Sequence, residues 1–362
     1  MIKVVMITRA TLFTAKGGDT VQVLETARHL ADINVVAEVK LTNEIIDYSQ
    51  YDLLHFFNIT RPADILFHIR KSKKPFVVSP ILIDYSEYDK NYRKGIEGLL
   101  FRWLSADTIE YVKTLARWLR GNDALVSVSY LPGHRRSVKR ILRQTSMLLP
   151  NSNLEYERVR DKYKYEGEYV VVPNGIDPSL FQFDETIKKD NRLVICVARI
   201  EGIKNQLNLI KALNKTKFNL LIIGAPAPNQ FQYYQTCKKI AADNVKFIEN
   251  VPQADLIKYY QQAKVHVLPS WFETTGLSSL EAAAMGCNIV ITNKGDAKEY
   301  FEGSAFYCDP RSPESICQAI EEASLQEGSG ALRKKILTSY TWQQAALQTQ
   351  TAYKLVTTQH GA

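Results

Sequence analysis

The chain has 362 residues, 45% of them hydrophobic, which is enough for two ordinary cores and makes two domains the expectation. No segment approaches the ~18 uncharged apolar residues of a membrane span, and five cysteines (Cys196, Cys237, Cys287, Cys308, Cys317) without CxxC or Cys/His spacing exclude a zinc site or disulfide frame. The net charge of +8 is unevenly placed: residues 90–143 hold 12 Lys/Arg against 4 Asp/Glu, an excess that implies an anionic partner such as nucleic acid, acidic lipid or a phosphorylated acceptor.

Lys3–Ile7 reads as a buried strand, so the N-terminus is expected to open a domain and not to act as a signal peptide. Ala10–Asp19 is a loop ending in Gly17, Gly18 and Asp19, and Thr20–Ala31 follows with helical spacing at Val21, Leu24, Ala27 and Leu30. Strand, glycine loop and helix let a phosphate approach the backbone, although the glycine pair also suits a plain turn. The absence of G-x-G-x-x-G and of a Walker sequence removes the main support for a dinucleotide or P-loop site.

The alternation continues with strands Asn34–Val39 and Leu53–Phe57, helix Ala63–Lys71 and strand Phe76–Ser79, which predicts a parallel sheet with helical crossovers. Ile81–Trp118 breaks the pattern with Asp84, Tyr85, Tyr88 and Tyr92. Within it, Gly98–Leu119 is a candidate helix carrying Leu99, Phe101, Trp103, Leu104, Val112, Leu115 and Trp118. That stripe fits either a packed core or, with Arg102, Lys113, Arg117 and Arg120, a membrane surface. The basic run Gly133–Arg143 lacks interleaved stacking aromatics, so nucleic acid is not expected as a partner. Met147–Pro150 (strand), Asn151–Tyr165 (helix) and Tyr169–Val172 (strand) complete a first domain over residues 1–173.

Residues 174–340 alternate more regularly. Strands are expected at Leu193–Val197, Asn219–Ile223, Val245–Ile248, Val265–Leu268, Asn288–Ile291 and Ala305–Tyr307, with helices at Gln206–Leu213, Gln230–Ala241, Ala254–Gln262 and Pro313–Ala323. A further helix opens near Gly276, on the spacing of Leu277, Leu280 and Ala284, and stops at Gly286. Glu273 then lies on the loop before this helix and Glu281 on its second turn. A helix start offers unpaired N–H groups and the positive end of a dipole to oxygen ligands. By themselves the two glutamates also fit a cap and a surface residue, and Arg199 with Lys204 fits simple surface charge. Residues 341–362 are expected to contribute a terminal helix, Trp342–Leu355.

Taken with its neighbours, the stretch P-S-W-F-E-T-T-G-L-S-S-L-E-A-A-A-M-G at 269–286 resembles the donor-site motif of retaining nucleotide-sugar glycosyltransferases, family 4, of GT-B fold. The resemblance extends to L-L-P-N-S at 148–152, V-V-P-N-G-I-D at 171–177, V-A-R-I-E-G-I-K-N-Q at 197–206 and I-T-N-K-G-D-A-K-E-Y at 291–300. It implies two Rossmann-like, doubly wound α/β domains facing a cleft, with the terminal helix crossing back to the N-terminal domain. It also implies that Arg199 and Lys204 bind the donor diphosphate and Glu273 the hydroxyls of the donor sugar. Backbone amides of Thr275, Gly276 and Leu277 would face sugar and phosphates, Glu281 would hold the ribose hydroxyls, and the loop with Gly17 and Gly18 would face the diphosphate.

Acceptor-side candidates are His55, Asp84 and His134, with Asp19 beside them. His55 also suits a structural role, and His266, inside a strand pattern, is expected to be structural. No carboxylate pair has the look of a metal site, so neither a metal nor another cofactor is expected. The function implied is retaining sugar transfer, in the cytoplasm or at the inner face of the membrane. The acceptor would be a glycan, a glycolipid or a lipid-linked sugar, with association to anionic membrane. A nucleotide-sugar epimerase, a sugar phosphorylase and a non-catalytic nucleotide-sugar-binding regulator remain as alternatives.

Overall fold

A computed structural model describes residues 1–92, 104–119, 126, 128–249 and 251–360. The chain forms two compact units: Met1–Leu82 with Asp89–Asn174 and Trp342–Ala362, and Ile83–Tyr88 with Gly175–Thr341. The short stretch Ile83–Tyr88 therefore leaves the first unit to join the second.

The first unit runs β1 (Ile2–Thr8), α1 (Gly18–Ala31), β2 (Val35–Leu41), β3 (Leu53–Phe57), α2 (Pro62–Ser72), β4 (Phe76–Ser79), α3 (Ser86–Asn91, shared with the second unit), α4 (Ala106–Leu119), α5 (His134–Leu142), β5 (Met147–Leu148) and α6 (Asn153–Tyr163). Its five strands are parallel in the order β2-β1-β3-β4-β5. β3 is buried along its whole length, as a parallel strand covered on both faces must be. One face carries Val5, Ile7, Leu54, Phe56 and Val78, packed against Val138, Ile141 and Val159 of α5 and α6.

Two expectations for this unit need correction. Tyr169–Val172 is not a regular strand. It follows β5 through Leu148 N–H to the Glu168 carbonyl (3.0 Å), Val170 N–H to Leu148 (3.0 Å) and Val172 N–H to Pro150 (2.8 Å). The next rung would need an N–H from Pro150, which has none. The candidate helix Gly98–Leu119 is described from Leu104 on and is helical only from Ala106, Leu104 and Ser105 lying before its start. Leu99, Phe101, Arg102, Trp103 and Arg120 lie outside the described residues, and Trp118, expected in its apolar stripe, is 48% exposed.

The second unit contains β6 (Asp190–Val197), α7 (Gln206–Leu213), β7 (Asn219–Ile223), α8 (Phe231–Ile240), β8 (Val245–Ile248), α9 (Gln253–Gln262), β9 (Ala263–Leu268), α10 (Leu277–Ala284), β10 (Asn288–Thr292), α11 (Ala297–Phe301), β11 (Phe306–Cys308), α12 (Pro313–Leu325) and α13 (Gly330–Ser339). The six parallel strands lie in the order β11-β10-β9-β6-β7-β8. The chain therefore winds outward from β6 in one direction and from β9 in the other. That doubly wound order creates a switch point between β6 and β9, where ligands bind at the carboxyl ends of the strands. α13, unexpected from the sequence, buries Leu332 and Ile336.

α9 passes into β9 with no intervening loop, which leaves helix-end carbonyls to be satisfied by something else. Lys189 does this. Its Nζ donates to the carbonyls of Tyr260 (3.0 Å), Gln261 (3.3 Å), Ala263 (3.0 Å) and, at the end of α10, Met285 (2.8 Å). The last helix, α14 (Trp342–His360), returns to the first unit. There its Gln350 amide donates to the Ile33 carbonyl after α1 (2.7 Å).

Candidate active site

The loops leaving β6 and β9 are tied together by the backbone and by one buried amide. Trp271 N–H donates to the Ile203 carbonyl (2.9 Å). Asn205, buried and at φ +61°, donates through Nδ2 to Pro269 (3.0 Å) and Pro310 (2.7 Å). Gln206 Nε2 holds the Arg199 carbonyl (2.9 Å), and Ile200 N–H bonds Ala225 after β7 (2.9 Å). Asn205 and Gln206 close the motif at 197–206, but an amide side chain announces no role until its carbonyl partners are in place.

These ties bring two of the expected residues into contact. Lys204 Nζ lies 2.5 Å from Glu273 Oε1, with side chains 20% and 7% exposed. A carboxylate that buried is stabilised chiefly by such a partner. The backbone of Glu273 is fixed as well: its N–H donates to Lys294 (3.2 Å) and its carbonyl accepts from Asp296 N–H (2.8 Å). Gly295 makes that approach possible. It has φ +98°, and a Cβ there would stand 2.1 Å from the Glu273 carbonyl oxygen. Arg199 is 41% exposed and its Nη2 lies 2.9 Å from Glu201 Oε1, so each candidate phosphate-binding cation is paired with a carboxylate.

Gly276 precedes α10 with φ +73°, a conformation that favours glycine. Thr275 is buried and its Oγ1 bonds Tyr300 Oη (3.2 Å), so its side chain belongs to the core and only its backbone remains available to a ligand. At the start of α10 the N–H groups of Ser279 (2.8 Å) and Leu280 (3.1 Å) donate to the Gly276 carbonyl, so the open helix start is confined to Leu277 and Ser278, whose N–H groups precede the first intrahelical acceptor. Glu281, on the second turn, accepts from Gln253 Nε2 at Oε1 and from Tyr260 Oη at Oε2, both at 2.8 Å. Burial pushes its carboxyl pKa up, and the two donors only partly offset this.

In the first unit, the loop after β1 is held by Arg9. Its guanidinium takes Asp19 (2.6 and 3.1 Å) and the carbonyls of Thr11 (2.8 Å) and Ala15 (2.7 Å). Asp19 is thus an ion-pair partner, not a candidate base. Gly17 precedes α1 in an extended conformation (φ −151°, ψ −172°), so its backbone does not demand glycine, and Gly18 is the first helical residue.

His55 is 1% exposed, with Nδ1 2.8 Å from Tyr353 Oη and Nε2 2.9 Å from Ser79 Oγ. Burial pushes its pKa down to about 3, and both ring nitrogens are engaged in the core, so it is corrected to a structural residue. His134 is likewise buried, its Nδ1 3.4 Å from Tyr130 Oη, and it too is withdrawn from the acceptor side. Of the three acceptor-side candidates only Asp84 is exposed, and its Oδ1 accepts from Ser86 N–H (3.0 Å). His266 is buried with Nδ1 3.3 Å from Ser279 Oγ.

The stretch Ile83–Tyr88 packs onto the same loops. The Tyr88 ring lies 6.0 Å from Trp271 and that of Tyr85 6.5 Å from Phe272, while Glu87 Oε2 is 3.2 Å from Lys294 Nζ. A Cβ on Gly202 would come 1.9 Å from Tyr88 Oη, so a side chain on the turn bearing Lys204 would displace the Tyr88 ring. The clustered tyrosines were the one signal available in the sequence. Among the described residues no group of three or more His, Cys, Asp or Glu could hold a metal.

With this geometry in hand, residues 179–337 match the family described as glycosyl transferases group 1. Over its full length the chain is similar to sucrose-phosphate synthase from Thermosynechococcus elongatus, with a TM-score of 0.77 and 15% identity, covering 98% of this chain and 99% of that one. The fold is GT-B. Another GT-B neighbour is Anabaena HepE in complex with UDP-glucose (TM-score 0.68, 15% identity, 97% of this chain and 100% of that one).

Sequence relatives include one component of human phosphatidylinositol N-acetylglucosaminyltransferase, 27% identical over 51% of this chain and 41% of its own. Glycogen synthase of Mycobacterium tuberculosis is 26% identical over 52% and 48%. The chain spans about half the length of the curated relatives it matches. In this GT-B chain Arg199, Lys204, Glu273 and Glu281 fall inside the family match, whereas Gly17, Gly18, His55, Asp84 and His134 fall outside it.

Proposed function

We propose that the protein is a retaining glycosyltransferase of family 4 type. It would move a sugar from a nucleoside-diphosphate sugar to a hydroxyl of a glycan, glycolipid or lipid-linked acceptor. The observation that carries this reading is the Lys204–Glu273 pair at the β6/β9 switch point, with Arg199 on the same turn. Breaking the bond between the anomeric carbon and the diphosphate oxygen builds negative charge on the leaving group. Lys204 and Arg199 stabilise that charge, and Glu273 orients the sugar hydroxyls. Glu281 accepts from the ribose diol. The acceptor oxygen bonds to the anomeric carbon on the face the diphosphate leaves, and its proton passes to a departing phosphate oxygen. That route needs no histidine base, in keeping with the burial of His55 and His134. It also needs no metal, since the two cations carry the diphosphate charge.

The acceptor is met at an anionic membrane surface on the cytoplasmic side. α4 exposes Val112, Trp118 and Leu119, and α5 with its following residue exposes Arg135, Arg136, Arg140 and Arg143. Apolar and basic side chains of this kind support reversible surface binding. No described helix is long and apolar enough to cross a membrane.

The test is a panel of UDP-, GDP- and ADP-sugars with glycan and lipid-linked acceptors, the product's anomeric configuration being read by NMR. UDP-glucose comes first because HepE holds it. Retained configuration supports the proposal, and an inverted product overturns the retaining mechanism. Epimerised donor without acceptor, or phosphate-dependent cleavage, would indicate the other enzyme classes, and binding without turnover a regulator.

A further inference from the structure

The two oxygens of the Glu281 carboxylate are held in unlike ways. Oε2 meets Tyr260, whose side chain is fully buried, and Oε1 meets Gln253, an exposed residue at the first position of α9. Tyr260 is fixed at both ends. Its ring packs edge-on to Phe181 (6.4 Å) and beside His266 (6.0 Å), and its carbonyl accepts from Lys189 Nζ (3.0 Å) and Cys287 Sγ (3.2 Å). No rotamer change frees the hydroxyl without breaking that packing. Gln253 has no such constraint: its amide gives one exposed hydrogen bond, which water replaces at little net cost. A ligand arriving from solvent therefore meets the carboxylate on the Gln253 side.

We propose that Tyr260 is a positioning residue that sets the plane of the Glu281 carboxylate, while Gln253 is an exchangeable partner displaced from Oε1 by the cis-diol of a nucleoside. The proposal rests on the reading of Glu281 as the diol acceptor. Tyr260 keeps its bond throughout and presents Oε1 in one orientation. Gln253 competes with the diol and so sets how tightly the nucleoside is held. The two residues are thus expected to act in opposite directions on the same ligand.

Calorimetry on the full chain separates these roles, using UDP and 2′-deoxy-UDP with wild type, Y260F, Q253A and E281Q. Wild type prefers UDP and E281Q abolishes the preference. Y260F weakens UDP about tenfold, the scale of one lost hydrogen bond to a charged group, and changes 2′-deoxy-UDP by less than about twofold. Q253A tightens UDP about threefold.

If Y260F weakens both nucleotides equally, Tyr260 is a packing residue only and the positioning role is overturned. If Q253A weakens UDP, Gln253 is a ligand contact and its role as a competitor is overturned. Because Gln253 is exposed, that arm stays readable even if Y260F loses stability, which thermal unfolding reports. A wild type that binds both nucleotides equally overturns the reading of Glu281 itself, an outcome distinct from a retained preference that Y260F leaves intact. Should UDP fail to bind, GDP and ADP with their 2′-deoxy forms replace it, and no binding by any of the three overturns both readings.

Discussion

Lys204 and Glu273 form a direct ion pair that bridges the turn after β6 and the loop after β9, Nζ to Oε1 at 2.5 Å. The pair lies at the one place in the second sheet where neighbouring strands wind away from each other. It joins the cation expected to meet the diphosphate to the carboxylate expected to meet the sugar, so a change at either residue alters both.

Lys204→Ala leaves a buried carboxylate without its cation, so it should lower stability by about 1–3 kcal/mol as well as lowering kcat at least tenfold. Arg199→Ala should lower kcat by a similar factor with little loss of stability, because Arg199 is 41% exposed. Lys204→Met combined with Glu273→Gln should restore much of the thermal stability and none of the activity. Equal melting temperatures for wild type and Lys204→Ala would show that the pair is not structurally coupled, and near-normal kcat in a folded variant would remove the diphosphate role.

Glu273 and Glu281 should separate by ligand. Glu281→Ala should weaken free UDP by about tenfold, whereas Glu273→Ala should hardly alter UDP and should impair use of the whole sugar nucleotide. Titration calorimetry with UDP and UDP-glucose checks this, and an equal loss of UDP affinity in both variants contradicts it.

Acid should destabilise the protein through its buried neutral histidines. Burial lowers the pKa of His55 and His266 from 6.5 to about 3 and that of His68 to about 4. The unfolded chain binds these protons near pH 6.5 and the folded chain does not, so the contribution is complete above pH 6.5 and lost as pH falls toward 3–4. Each group contributes up to about 1.4 kcal/mol per pH unit within that window. His55→Asn should flatten the fall in melting temperature between pH 6.5 and 5, and an unchanged slope would show that His55 takes up no proton on unfolding.

Anionic but not neutral vesicles should pellet the protein, and salt should release it. Charge reversal at Arg136, Arg140 and Arg143 should abolish pelleting without unfolding the first unit. Reversal at Arg117 or Arg135 is a poorer probe, since these residues face Glu110 (3.9 Å) and Asp107 (3.5 Å). Failure to pellet at low salt would redirect the basic excess to a phosphorylated acceptor.

The second sheet was legible because each strand is a short apolar run and each crossover a periodic helix; β7 and α7 fall on the residues expected. The roles expected of Glu273 and Lys204 come from resemblance alone, and their pairing with each other was not legible, since the neighbours of each residue in the chain say nothing of a partner in another loop. What could not be read depends on chain ends and neighbours. His55 appears as a site residue until Tyr353, from the far end of the chain, closes over it. Tyr169–Val172 reads as a strand until Pro150 is found to lack the donor its ladder needs. Glu281 reads as a surface residue or a holder of ribose hydroxyls, with no sign of its bond to Tyr260, because Tyr260 lies on a different helix.

The stretch Ile83–Tyr88 makes the second unit discontinuous, and α14 does the same for the first. Neither unit can be cut from the gene as one uninterrupted piece. A fragment of residues 175–341 would lack Tyr85, Glu87 and Tyr88 and would expose Trp271 and the Gly202 turn beneath them. One of residues 1–174 would leave His55 without Tyr353. A chimera that borrows the donor half of a relative must therefore carry the six-residue insertion with it, and recombination at the Asn174–Gly175 junction alone is expected to give mismatched halves.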